Sequence, residues 1–331
     1  MKLKALQLIL ICSMWMLSFG QDIHWSQFND NQLYQNPAHT GHFDGDYRFI
    51  GNYRDQWRSV TVPFSTFSSS IDARLKKWGV GLLAFHDQAG DGKFRTIELQ
   101  GNVSRSFKLV KDSSQVLRLG VNFGMNHRQI NWDLLYFDNQ YNGYIFDPTT
   151  PTNENYQVAR KTNASLGFGF IHEWNSKTRT SVQTGLGAFN LNQPNQGFYT
   201  EVIRRDMRFN GFVKAIVQLN SKWDIISSVQ YSHQGIYREL LMGSSARLHL
   251  SSKPNVYQAL YFGAWNRGID AAYASIGYDY NDFFIGISYD VNYSKLVPAS
   301  NMRGGVEVAL RYVIRKFKPK RIIHRVCPDY I

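Results

Sequence analysis

Apolar and polar residues alternate with period two along most of this chain, the pattern of a β-strand with two unlike faces. Between Phe283 and Tyr293, one face takes Phe283, Ile285, Ile287, Tyr289, Val291 and Tyr293. The other takes Phe284, Gly286, Ser288, Asp290 and Asn292. Residues 116–126 set Leu117, Leu119, Val121, Phe123 and Met125 against Val116, Arg118, Gly120, Asn122, Gly124 and Asn126, and residues 306–314 repeat the arrangement. At helical spacing these apolar residues would surround the axis, so strand is the predicted element. About fourteen such segments are predicted, near 46–57, 64–75, 78–87, 94–109, 115–127, 160–174, 179–190, 207–220, 222–233, 240–251, 256–266, 269–280, 283–293 and 304–314. Most run 10–15 residues. That exceeds the roughly 5–6 of an ordinary strand and matches the about 9–11 a tilted strand needs to cross a bilayer.

The connections alternate as well. Those after the even-numbered segments are short and mostly contain Lys: Lys76-Lys77, Lys111 to Ser114, Asn175-Ser176-Lys177, Asn220-Ser221, Ser252 to Asn255 and Asn281-Asp282. Most of the others are longer, notably 128–159, 191–206 and 294–303, although Asn266-Arg267-Gly268 is short. Short turns on one side and long loops on the other mark an outer-membrane barrel and place both chain ends on the periplasmic side. A soluble β-sandwich also alternates, but its polar face is solvated and should be charged. Here that face is rich in Gly, Ser, Asn and Gln, and tyrosines gather near strand ends. The predicted fold is therefore all-β: a transmembrane antiparallel up-and-down β-barrel of about 14 strands, with short periplasmic turns and long extracellular loops, over residues 46–314.

Composition adds the export route. Lys2 and Lys4 precede an apolar run from Leu6 to Leu17, and Ser18 and Gly20 supply small residues for cleavage, so 1–20 is expected to be a signal peptide. The run is shorter than the about 20 residues of a transmembrane helix, and Ile11 before Cys12 disfavours lipidation. Cleavage near Gln21 would leave Cys327 as the one cysteine, excluding an internal disulfide and a Cys-rich metal site. It would also lower the formal charge from +12 to +10, since two Lys leave with the segment.

Charges at strand positions, among them Arg48, Arg54, Asp72, Glu98, Arg118, Arg247, Glu307 and Arg311, are expected to pair as a lumenal ladder, because an unpaired buried charge is costly. A substrate-conducting pore lined by Arg is the other arrangement they allow. Catalytic and metal chemistry find little support. The nine His are scattered without a His-x-x-x-His pair, no Gly-x-Ser-x-Gly elbow occurs, and Asp87 to Gly92 lacks the terminal acid of a calcium loop. No cofactor is expected. The segment from Arg315 to Arg325, including Lys318, Lys320 and Arg321, holds six Arg/Lys and no acid. As part of a basic periplasmic tail, 315–331, it would meet anionic lipid, peptidoglycan or protein partners, not nucleic acid.

The most distinctive stretch precedes and enters the first strand: Trp25-Ser26-Gln27-Phe28, Leu33-Tyr34-Gln35-Asn36-Pro37-Ala38-His39-Thr40-Gly41, Gly45-Asp46-Tyr47-Arg48, and Asn52-Tyr53-Arg54-Asp55-Gln56-Trp57, followed by Thr66-Phe67 and Asp72. It resembles the PorP/SprF family of outer-membrane proteins of the type IX secretion system, found in Bacteroidota. The likeness is specific over 21–75; beyond that it rests on length, strand pattern and the closing Cys327-Pro328-Asp329-Tyr330. Departures are Trp25, where Phe is common, and the paired His39 and His42. The resemblance implies a non-enzymatic accessory in outer-membrane lipid, working with secretion and gliding machinery. For some members it implies engagement of a secreted surface protein, adhesin-like, through that protein's C-terminal domain, and for others association with the periplasmic machinery. Asn36-Pro37 initiates a turn and Gly41 admits positive φ, so 21–45 is expected to be a compact periplasmic segment or plug. It either closes the barrel mouth or presents Trp25, Phe28 and Tyr34 to a partner. The long loop is expected to offer Tyr136, Phe137, Tyr141, Tyr144 and Phe146 outside, unless these fold over the mouth. A passive porin or small-molecule channel is the alternative function.

Overall fold

The computed structural model describes residues 22–315 apart from 57–62, 91, 142, 153–158, 199–201, 252–255, 295–296 and 298–300. The expected signal peptide, the tail with Lys318, Lys320 and Arg321, and Cys327 lie outside the described residues. Fourteen strands form one closed antiparallel barrel in which every sequential pair is hydrogen-bonded. They are β1 (Tyr47–Gln56), β2 (Phe64–Leu75), β3 (Trp78–Ala89), β4 (Phe94–Lys108), β5 (Gln115–Gln129), β6 (Arg160–Asn175), β7 (Ser181–Phe189), β8 (Arg208–Gln218), β9 (Trp223–Gln234), β10 (Tyr237–His249), β11 (Gln258–Arg267), β12 (Ala271–Tyr280), β13 (Phe283–Asn292) and β14 (Arg303–Ile314). Pairing of β1 with β14, from Tyr47 opposite Ile314 to Gln56 opposite Gly305, closes the ring and leaves no open sheet edge. No helix among the described residues is long and apolar enough to cross a membrane; the crossing is made by strands.

Burial is inverted relative to a water-soluble protein. Outward positions such as Phe49, Phe67, Leu82, Leu99, Phe123, Leu166, Val213, Ile276, Ile287 and Leu310 are exposed and apolar. Inward positions, among them Asn52, Ser68, Gln100, Asn122, Ser228, Asp290 and Glu307, are polar and buried. Such a surface is stable only in hydrocarbon, where exposed apolar side chains cost nothing and the closed ladder satisfies the backbone. Phe123, at mid-height of β5, tests the assignment. Phe123→Arg is expected to destabilise the barrel in lipid vesicles by about 2–4 kcal/mol, and Leu117→Arg, nearer the interface, by about 0–1 kcal/mol. Denaturant unfolding from vesicles measures both, and equal costs would be inconsistent with a membrane belt at this height.

Predicted and observed strands agree to within a few residues. The largest shift is at β10, which begins at Tyr237 because Gly235, at φ +57°, closes a tight turn with Ile236. Tyr237, Arg238 and Glu239 therefore pair with Gln234, His233 and Ser232. The short-turn side holds the connections 76–77, 109–114, 176–180, 219–222, 250–257 and 281–282, and the long loops 130–159, 190–207 and 293–302 lie opposite.

Candidate functional site: a plugged lumen below an aromatic mouth

Residues 22–46 thread the lumen from end to end. Short helical turns at Phe28–Asp30, Gln32–Gln35 and Pro37–His39 compact the segment. Asn36 caps the last of them, its side chain accepting from the Ala38 amide at 2.9 Å. At the short-turn end, Gly41 takes φ +68° and its amide donates to Asp72 at 2.7 Å. Arg48 grips the same carboxylate through Nε at 2.9 Å and Nη2 at 2.7 Å, and donates to the His39 carbonyl at 3.1 Å. The wall makes room for this turn with residues that lack a side chain. A Cβ on Gly120 would lie 2.4 Å from the Ala38 nitrogen, and one on Gly79 would lie 2.1 Å from the Thr40 carbonyl oxygen.

At the long-loop end the segment meets two clusters of buried charge. In the first, the Ser26 and Gln27 amides donate to the two Glu307 oxygens at 2.7 and 2.8 Å, while the Ser26 hydroxyl donates to Asp290 at 2.8 Å. Arg54 bridges Asp290 and Glu307 at 2.9 and 3.1 Å, and Arg267 pairs with Asp290 at 3.1 Å and Glu239 at 3.3 Å. Tyr273 donates to the Ser26 carbonyl at 2.5 Å. In the second, Arg205, from the β7–β8 loop, joins Asp22 at 2.7 Å to Glu98 at 3.1 Å. Burial opposes ionisation of Asp22, but Arg205 and Arg208 outweigh it and hold the carboxyl below the ordinary range. Between the two ends, Trp25, Leu33 and Tyr34 pack on Leu83 and Phe85, and Phe28 packs on Leu241, Tyr273 and Trp265. Between this segment and the wall of β8–β14 lies a cavity of about 170 Å³ beside Lys214, Arg247, Tyr261 and Arg311.

The segment thus lies inside the barrel and is not confined to its periplasmic mouth. Asp22 lies level with the outer strand ends, next to Asn190, Arg208 and Gln234, so the chain descends through the barrel before entering β1. The physical reason is that the inner wall offers carboxylates at both levels. Trp25, Phe28 and Tyr34 are accordingly buried against the wall, at 3, 4 and 7% exposure, and hold the plug in place; in this arrangement they are not presented to a partner. Ser26, Asp22, Asp290, Arg205 and Arg267 were not singled out from sequence. An acid at an inward position near the outer end of a strand was the available signal for Asp290. Arg205, in an irregular loop, offered none.

Above the plug, the long loops pack on one another. Trp132 meets Phe198 edge-on at 6.3 Å, and the Asn131 amide donates to the Gly92 carbonyl at 3.1 Å. Tyr141 and Phe146 form a bridge, with Tyr136 edge-on to Phe146 at 4.7 Å. Phe137 caps the turn at Asp138–Gln140, its amide donating to the Gln140 side chain at 3.1 Å. Tyr136, Tyr141, Tyr144 and Ile145 stay exposed, Tyr144 at 97%, and Val202, Ile203, Ile236, Ile269 and Met302 on other connections of the same end are exposed too, so apolar side chains recur around this rim.

Fold and lumen together define a fourteen-stranded outer-membrane barrel closed by its own N-terminal segment. Solved outer-membrane barrels are similar to it in fold. The toluene transporter TbuX of Ralstonia pickettii matches with a TM-score of 0.54 at 9% identity, covering 87% of this chain and 94% of that one. The toluene transporter TodX of Pseudomonas putida matches with a TM-score of 0.50 at 10% identity, covering 88% and 97%. At these identities the likeness concerns the fold alone. No curated protein sequence matches the chain. The sequence profile of the type IX secretion system membrane protein PorP/SprF matches residues 17–312, and the chain belongs to that family. The family is that of a type IX secretion system membrane protein, and the fold is that of an outer-membrane barrel.

Proposed function

We propose that this protein is a non-enzymatic accessory of type IX secretion that holds a secreted, adhesin-like surface protein at the outer face of the membrane, through that protein's C-terminal domain. Its short-turn side would dock periplasmic secretion or gliding machinery. The observation that carries this reading is the apolar rim on the long-loop side. Tyr136, Tyr141, Tyr144 and Ile145 of one loop are exposed together, and exposed apolar patches mark interaction sites. Tyr side chains bring large contact area with few rotamers to freeze. The rim rests on loops braced by Trp132 and Phe198, so less entropy is lost when it is covered. The tied plug favours this reading over a passive porin, which predicts sizeable open currents from the wild-type protein in planar bilayers.

The test is crosslinked recovery of partners from cells. Tyr141→Ser/Tyr144→Ser/Ile145→Ser is expected to lower recovery of a secreted surface protein at least tenfold, while the variant still reaches the outer membrane. Wild-type protein that recovers neither a surface protein nor a secretion component would sink the reading, as would a triple variant that binds normally.

A further inference from the structure

We infer that the outer wall at the short-turn ends of β3 and β4 binds the headgroup of an anionic phospholipid of the inner leaflet, centred on Arg105. Arg105 points outward from β4, directly opposite Trp78 of β3. Its guanidinium lies 4.9 Å from the Trp78 ring centre and 5.2 Å from that of Phe107. Rings at this distance fix a cation without neutralising it. Among the described residues, Arg105 has no carboxylate within ion-pair distance and no hydrogen-bond partner. A fixed, uncompensated guanidinium beside hydrocarbon is costly unless an anion meets it.

Its height says where that anion comes from. Outward positions of β4 run Arg95, Ile97, Leu99, Gly101, Val103 and Arg105, so two arginines ten residues apart (105 − 95) bracket the apolar stretch. Ten residues of a strand tilted about 40° rise about 25 Å, the height of the apolar band, which puts Arg105 at the level of the phosphates. Arg95 is hydrogen-bonded to Gln88; Arg105 has only its rings.

The surroundings fit the same ligand. Lys76 and Lys77 of the β2–β3 turn, and Lys108 and Lys111 at the β4–β5 turn, are exposed, and the Ser106 amide donates to the Lys77 carbonyl at 2.8 Å, which sets the first turn beside β4. Asp112, the acid of the second turn, accepts from the Ser114 amide. Exposed Leu75, Leu109 and Val110 continue the apolar surface around these cations. On the β12–β14 wall, Tyr280, Phe283 and Tyr312 hold the corresponding level among the described residues, and Arg315 there is paired with Asp282. Lys177 and Lys222 are exposed in other short turns as well, so what sets the β3–β4 sector apart is the Arg105 guanidinium held between two rings. A phosphate held bidentately by Arg105 would leave its acyl chains along Val80, Leu82 and Val103, already the lipid face, which favours a phospholipid over the acidic face of a protein.

Purified protein in neutral detergent, offered equal amounts of phosphatidylglycerol and phosphatidylcholine, is expected to retain the former at least fivefold over the latter in native mass spectrometry. Arg105→Gln should bring that ratio near one, with the folded band on unheated gels unchanged, and Arg95→Gln should leave it as in the wild type. Where Arg105→Gln does not fold, Trp78→Leu is expected to lower the ratio at least twofold. The inference is overturned if the wild type shows no preference or if the variants keep it. It also fails if glycerol phosphate displaces the lipid as well as phosphatidylglycerol does, which identifies a free-phosphate site. Arg105→Gln losing an acidic periplasmic protein while retaining lipid identifies a protein surface and likewise overturns it.

Discussion

Replacing Glu307 by alanine is expected to free the outer half of the plug from the wall, so that amides of residues 22–36 exchange hydrogen about a hundredfold faster. Glu307 is buried at 1% exposure and accepts from the Ser26 and Gln27 amides and from Arg54. Removing one partner from a buried charged network costs about 3–5 kcal/mol, because the groups left behind are desolvated without compensation. Arg54 keeps Asp290, which places the effect near the lower end. About 3 kcal/mol corresponds to about a hundredfold in an opening equilibrium, at tenfold per 1.4 kcal/mol. Glu307→Gln preserves shape and one acceptor oxygen, so its effect should be intermediate. Hydrogen-exchange mass spectrometry reads both variants, with strand amides in β4 to β6 as the internal standard. Unchanged protection in the plug would mean that Glu307 is not its latch.

The latch gives the family's N-terminal phrase a physical meaning. Ser26 and Gln27 supply the amides that satisfy Glu307. Asn36 and Pro37 build the turn that lets Gly41 reach Asp72, and Arg48 and Arg54 of β1 hold the acids at the two levels. The motif is thus spent on closing the lumen. Under the proposed function, recognition of a partner would fall to the outer loops and to the periplasmic face.

Strand pattern was legible because solvent identity changes across the wall: lipid demands apolar residues on one face, and the filled lumen demands polar ones on the other. That contrast repeats every second residue, so β13 and β5 could be assigned side chain by side chain. The polar character of the lumen was legible too, with Arg48, Asp72, Arg54 and Glu307 expected to pair. Which charge meets which was not. Glu307 and the Ser26 amide are 281 positions apart, and Arg205 and Asp22 are 183 apart, in segments that carry no period. For the same reason the descent of residues 22–46 through the barrel left no trace in the alternation. An irregular chain satisfies its backbone wherever the wall offers partners, and only the folded wall shows where they are.

The glycines of the wall provide the sharpest test of that descent. Gly120→Val is expected to expel the turn at Asn36 to Gly41 and open the lumen. A Cβ at this position meets the Ala38 nitrogen and the Pro37 carbonyl carbon, both at 2.4 Å, and backbone atoms have no rotamer to escape into. Overpacking costs about 1–3 kcal/mol, occasionally more, and a clash that side chains cannot relieve falls at the upper end, comparable with the latch at the other end. Gly79→Val, facing the Thr40 carbonyl, should act in the same direction. Gly101 is the matched control: it faces outward on β4, and the nearest atom to its Cβ would be 4.0 Å away, so Gly101→Val should change nothing. Planar-bilayer recordings distinguish the cases. Open steps are expected from Gly120→Val and from a chain lacking residues 22–44, and none from the wild type or Gly101→Val. A Gly120→Val barrel that folds and stays closed would show that the plug at this level can shift without leaving, and that the closure depends on the outer charge clusters instead.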